Sequence, residues 1–250
     1  MKPPLVIATI LLGLGTGWLD AAQPNVRPPV APDINSEEQG QALARRLRDS
    51  LPEEPVHVTA ILRTRQEDGS TRRIPVESTI VLGDSTWKQT YQTTATNELP
   101  AQRLVILHRE GKPNQYEFTE EKPGEPAPSS RTPRLSQPLG GSEFWVADLG
   151  MDFLHWPFQK LIRGTMRKGR SCQVLESLNP ASEGYARVVC WIDREHGQPI
   201  LAEAYDDQDR LVKEFSIGSL EKVEGQWQVK DMKIDNVLTG TKTWLEFDYE

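Results

Sequence analysis

Two cysteines, Cys172 and Cys190, are the only thiols in the chain, and a turn separates them. Their type allows a redox pair, a metal pair or a structural bridge. A redox pair needs C-x-x-C spacing, which is absent, and a zinc site needs more ligands at short spacing. The four histidines, His57, His108, His155 and His196, include no two at metal-ligand spacing. Asp206-Asp207-Gln208-Asp209 lacks the glycine and distal glutamate of a calcium loop and reads as a solvated turn. No G-x-S-x-G, H-E-x-x-H or phosphate-binding glycine loop occurs. The expectation is a protein without metal, cofactor or catalytic residues, although a triad gathered from distant positions stays open.

The compartment bears on the thiols. Met1-Lys2 is followed by an apolar run from Leu5 to Leu14, small residues and Ala21-Ala22. That is the three-part pattern of a secretory signal peptide, expected over 1–22. The run is too short for a membrane-spanning helix, with an uncut N-terminal anchor as the alternative. Residues 23–35, with Pro24, Pro28, Pro29 and Pro32, read as a flexible leader. The net charge of -7 and scattered basic residues argue against nucleic acid as a partner. Two cysteines in an exported chain favour a disulfide.

The elements follow from periodicity. Ser36 reads as a helix N-cap with Gln39 as its capping-box partner, Ala42, Leu43 and Leu47 as the apolar stripe, and Pro52 as the stop. From Val56 the period becomes two. Short strands are expected near 56–63, 74–82, 87–94, 104–107, 115–119, 171–178, 185–193, 200–205, 211–217, 226–234 and 243–249. About eleven strands in a nearly unbroken meander predict a mainly β (α+β) fold: one open, unclosed antiparallel barrel with helices to one side. Residues 36–250 are expected to form a single domain. A Pro-, Ser- and Gly-rich stretch at about 120–142 reads as a mobile, dispensable insertion.

The most aromatic segment is 143–162. One helix is expected from about Phe144 to His155, broken at Pro157 and followed by a short turn. Trp145, Leu149, Phe153, Leu154, Trp156, Phe158 and Leu161 cover most of its circumference, so it should be buried or cover something apolar. A helical lid over a cavity and ordinary core packing both remain open. For the cysteines, folding the flanking strands on the 179–183 loop sets Cys172 opposite Cys190 and Val174 opposite Val188, within disulfide reach. Two free buried thiols are the alternative.

In the C-terminal half, Leu175, Tyr185, Trp191-Ile192-Asp193, Tyr205-Asp206, Lys213, Gly225-Gln226-Trp227, Met232, Asn236 and Thr243 follow an order that resembles the outer-membrane lipoprotein-sorting proteins, the LolA-like group. The resemblance spans about Trp145 to Phe247. It implies an open barrel of about eleven strands, lidded by helices, around an apolar cavity. It also implies a non-enzymatic periplasmic carrier of lipid or lipoprotein acyl chains, with a membrane transporter or acceptor protein as a further partner. A monomer is expected. The other classes are a periplasmic scaffold whose packed barrel recognises a protein, and an exported hydrolase. A continuous interior cavity separates the first from the second.

Overall fold

The computed structural model describes residues 36–50, 52, 54–121, 130–181, 184–223 and 226–249. The expected signal peptide and leader lie outside the described residues. Helix α1 (Glu37–Arg48) begins where the sequence placed it: the Ser36 hydroxyl accepts the Gln39 amide at 3.1 Å. Glu37 and Glu38 in the first turn and three arginines in the last complement the helix dipole. Its buried face carries Leu43 and Ala44, while Ala42 points to solvent. The cause is Gly40. A Cβ there would lie 2.6 Å from the Lys160 backbone, so this position forms the close approach of the helix to a strand and rotates the stripe.

The strands are β1 (Val56–Arg65), β2 (Thr71–Leu82), β3 (Thr86–Thr93), β4 (Ala101–Arg109), β5 (Gln115–Glu121), β6 (Phe158–Arg167), β7 (Arg170–Leu178), β8 (Arg187–Asp193), β9 (Pro199–Tyr205), β10 (Leu211–Ile217), β11 (Leu220–Val223), β12 (Gln226–Val229), β13 (Asp231–Asn236) and β14 (Lys242–Asp248). Twelve of them make one sheet in the order β5-β4-β3-β2-β1-β14-β13-β10-β9-β8-β7-β6, and β11–β12 form a separate hairpin. All its pairings are antiparallel, and β5 and β6 remain as unjoined edges. The sheet therefore joins two meanders through β1 and β14. The run expected over 226–234 divides into β12 and β13.

Two expectations about 143–162 need correction. Only Val146–Leu149 forms an α-helix, α2, and Asp152–His155 is a 3-10 turn. A continuous helix is broken at Met151, which is left-handed (φ 46°), just after Gly150 brings the backbone close against Tyr116. Trp156 before Pro157 is extended, and β6 starts at Phe158, so Phe158 and Leu161 belong to the sheet and not to a helical lid.

The chain over 131–141 is not a loose insertion. Arg131 and Phe118 exchange backbone hydrogen bonds, and Leu139 is buried in the main core beside Phe144, Leu62 and Ile74. Gly140 and Gly141 both take φ of +57°, a conformation that lets the chain reverse against the Leu62 and Ile74 side chains. Apolar residues fill this stretch enough to outweigh its Pro and Ser content. Residues 122–129 of the expected insertion lie outside the described residues.

The disulfide is also overturned. Cys172 and Cys190 are free, buried thiols. The β7–β8 register pairs Cys172 with Asp193 and Leu175 with Cys190, three residues away from the expected one. Because successive side chains alternate between faces, an odd shift sends the two thiols to opposite sides of the sheet. Cys190 packs with Leu43, Leu154 and Leu175, and Cys172 with Ile200 and Leu201. The connection is longer than the 179–183 loop because β8 begins only at Arg187, after Tyr185 has turned inward.

Leu139→Ala should cost about 2–5 kcal/mol in a denaturant titration, the range for a buried leucine truncated in a core. A loss under about 0.5 kcal/mol would mean that the 131–141 stretch does not belong to the core.

Candidate functional site

An apolar chamber of about 820 Å³, counting the space at its mouth, lies beneath α2. Its cover is supplied by Ala147, Leu149, Met151, Phe153 and Trp156. The opposite wall comes from the sheet: Val188 and Cys190 on β8, Ala202 and Ala204 on β9, Phe215 on β10, and Met232 and Ile234 on β13. Alternation on β8 and β9 brings Val188, Cys190, Ala202 and Ala204 to one patch of the inner face, and Phe153 and Trp156 of the cover pack against the cluster that Val188 and Ala204 form with Tyr185.

The sequence-predicted lid residues separate into three groups. Leu149, Phe153 and Trp156 line the chamber. Trp145 stacks on Tyr185, with ring centroids 5.1 Å apart, and so reinforces the rim. Leu154 and Leu161 are buried under α1, and Phe158 is 57% exposed on β6. Small residues on β8 and β9 form one patch of the chamber wall and were missed by the sequence reading. Their signal, Ala202-x-Ala204 in an alternating strand, was present.

One charged group is deeply buried at the chamber wall. The Lys213 side chain is 2% exposed. Its ammonium donates to the Glu143 carbonyl at 2.6 Å and to Asp148 Oδ2 at 3.3 Å, and lies 3.6 Å from the Trp145 ring centre. Asp148 also accepts from the Tyr185 hydroxyl at 2.9 Å and the Trp145 amide at 2.8 Å. The Asn236 amide donates to Glu143 at 2.9 Å. Burial pulls the Lys213 pKa below its ordinary value, while Asp148 and Glu143 oppose the fall. Burial, with Asp148 beside it, holds the Tyr185 phenol well above the usual range. This network ties α2 to β10 and the Tyr185 turn. The arrangement positions the cover.

A second set of bonds holds the hinge after α2. Asn114 donates to the Gly150 carbonyl at 2.8 Å, Tyr116 donates to Asp152 at 3.1 Å, and the Trp156 indole donates to the other Asp152 oxygen at 3.0 Å. Burial raises the Asp152 pKa against the pull of its donors. Beyond this hinge lies a second cavity of about 800 Å³, more polar, with His108 and His155 in its wall. His108 stacks on Trp87 at 3.5 Å between ring centroids. Burial, aided by the neighbouring His155 charge, pulls His108 down to about 3.

Asp148→Ala should cost about 3–5 kcal/mol, because it strands a buried ammonium, and Lys213→Met combined with Asp148→Leu should recover much of that loss. Chemical denaturation of both variants checks it; a single variant as stable as wild type would remove the network from its structural role. Acid should also weaken the fold through His108. The unfolded imidazole takes up a proton below about pH 6.5 while the folded one does not until about pH 3. Its stabilising share is therefore full above pH 6.5 and lost as pH falls toward 3, at about 1.4 kcal/mol per unit. His108→Gln should flatten the stability-against-pH curve between pH 6.5 and 5; an unchanged slope would show that His108 does not titrate in this way.

A family model described as an uncharacterized protein matches residues 128–249. No curated protein matches the chain. Among solved structures, a DUF1329 family protein from Desulfovibrio piger aligns with a TM-score of 0.71 at 17% identity, covering 86% of this chain and 92% of that one. A domain assigned to the outer membrane lipoprotein-sorting proteins, from Vibrio parahaemolyticus, gives a TM-score of 0.71 at 18% identity with the same coverage. A LolA superfamily protein from Nitrosomonas europaea gives 0.60 at 18%, again covering 86% of this chain and 92% of that one. At such identities the likeness is one of architecture, and the architecture of this chain, an unclosed antiparallel sheet around an apolar chamber, is the LolA-type fold.

Proposed function

We propose that this chain is a non-enzymatic periplasmic carrier that shields the acyl chain of a lipid or lipoprotein in the chamber beneath α2. The observation that carries this reading is the chamber itself: about 820 Å³ with a lining of aromatic and aliphatic side chains, whose only charged members are Asp148 and Lys213. The wording attached to the Vibrio parahaemolyticus neighbour, lipoprotein sorting at the outer membrane, supports it. So does the N-terminal export pattern at 1–22.

The energetics suit the task. An acyl chain exposed to water costs about 0.8 kcal/mol per methylene, roughly 12 kcal/mol for sixteen carbons. A carrier must replace that water with apolar surface and must still release its load. Leu149 at the end of α2, with Phe153 and Trp156 on the short segment between Gly150 and Pro157, supplies such a surface without one long rigid helix. Trp145 forms the rim, while Leu154 and Leu161 anchor the base of the segment under α1.

The test fills the void. Ala204→Leu places a larger side chain in the chamber, where room exists, so stability should change by less than about 1.5 kcal/mol. Uptake of a fluorescent acyl probe should be saturable in the wild type and fall at least about tenfold in the variant, about 1.4 kcal/mol of affinity. Absence of saturable uptake by the wild type would overturn the carrier reading, and equal uptake by the variant would place the load elsewhere.

A further inference from the structure

The two cavities share a wall. Met151 and Pro199 line both the apolar chamber and the polar cavity beyond the hinge. Met151 also packs against the hydrophobic clusters on either side. Its backbone is left-handed, φ 46° and ψ 46°, which is costly for a residue with a side chain and persists only where surrounding contacts impose it. Its side chain is unbranched and flexible, suited to changing rotamer with little penalty. The partition between the cavities is therefore one strained, adaptable side chain, set against one proline.

The polar cavity has a definite chemistry. Arg46 and Arg48 from the end of α1 line it, and no carboxylate lines it among the described residues. Arg48 is held from outside by Asp49 at 2.9 Å. Two imidazoles face in as well. His108 is 94% buried by its 6% exposure, and its Nε2 has no hydrogen-bond partner; the buried Nδ1 of His155 has none either. Unsatisfied buried polar atoms cost about 1–3 kcal/mol unless a water or a ligand meets them. Asp49 takes two hydrogen bonds from Arg48, so Arg46 is the guanidinium left without a carboxylate partner among the described residues, and with the imidazoles it forms a receptor for an anionic oxygen group.

We propose that the two cavities together bind one anionic amphiphile, its acyl chain in the chamber beneath α2 and its carboxylate or phosphate head in the Arg46, Arg48, His108 and His155 cavity, with Met151 moving aside to join them. This rests on the carrier reading and adds the charge of the load. In that arrangement the imidazoles donate or accept a hydrogen bond through the orphaned nitrogens while the arginines supply the charge. The chamber supplies affinity in proportion to chain length, and the polar cavity supplies selection between heads.

Three ligands with the same sixteen-carbon chain, palmitate, its lysophosphatidic acid and hexadecanol, would be titrated below their micelle-forming concentrations against an acyl probe. At least one anion should bind about tenfold or more tightly than hexadecanol, about 1.4 kcal/mol, and the tighter anion names the head as carboxylate or phosphate. Arg46→Gln with Arg48→Gln should abolish that preference and leave hexadecanol affinity unchanged. Should the double variant not fold by circular dichroism, Arg46→Gln alone, at an exposed helix position, should at least halve the preference. Equal binding of all three ligands to the wild type, or a preference that survives the arginine changes in a folded variant, would overturn the two-cavity assignment while leaving the carrier reading intact. Failure of all three ligands, hexadecanol included, to displace the probe would defeat the carrier reading itself.

Discussion

A twelve-stranded sheet that does not close leaves an apolar inner face and two edges to be covered by the rest of the chain. Much of the remaining architecture answers that requirement. The 131–156 connection turns inward: Leu139, Phe144, Val146 and Leu149 pack on residues of β1, β2, β4 and β14. At the β6 edge, Ser36 exchanges backbone hydrogen bonds with Leu161, and α1 lies over the same strand at the distance Gly40 permits. At the β5 edge, Arg131 pairs with Phe118. The β5 edge is thus protected by the segment that follows it, and the β6 edge by Ser36 and α1, which are distant from it in sequence.

Covering a sheet with an irregular segment raises a second demand, since a segment with little helix has many backbone groups to satisfy. Side chains from the sheet meet part of it. Gln102 accepts the Gly140 amide at 2.7 Å, Thr243 accepts the Glu143 amide at 3.0 Å, and Lys213 reaches the Glu143 carbonyl. These polar contacts explain why Gln102, Thr243 and Lys213 occur at buried strand positions otherwise suited to apolar residues. They also hold the cover at fixed points while the patch between them remains open.

The parts of the fold that depend on local pattern were legible. The Ser36 cap, the alternating strands and the unclosed antiparallel sheet follow from capping chemistry and period-two burial. Three features were not, and each was decided by a contact distant in sequence. Met151 leaves helical geometry and Gly150 sits against Tyr116, so the 144–155 helix stops after one turn. Tyr185 leaves its strand to reach Asp148, which moves the β7–β8 register and parts the cysteines. Leu135 and Leu139 carry a Pro- and Ser-rich stretch into the core. Of the residues expected to form the lid, Phe158 and Leu161 belong to the next strand, because only the chain's path shows where β6 begins. The short residues of the chamber wall gave no apolar peak and so drew no notice.

The chamber persists because the two sides of the fold are spaced by interactions that do not depend on filling it. The Lys213 network fixes one end of the cover, and the Asn114, Tyr116 and Asp152 bonds fix the other. Between these anchors the cover meets the sheet where Trp145, Phe153 and Trp156 pack on Tyr185, Val188 and Ala204. Collapse would have to break charge-assisted hydrogen bonds to gain dispersion contacts, an exchange that buried pairs resist. A protein relying on apolar packing alone would close such a space by small shifts, as interiors tend to high density. The buried lysine thus acts as a spacer: at the chamber wall, bonded to the Glu143 carbonyl and Asp148 and set against the Trp145 ring, it holds the cover at a fixed distance from β10.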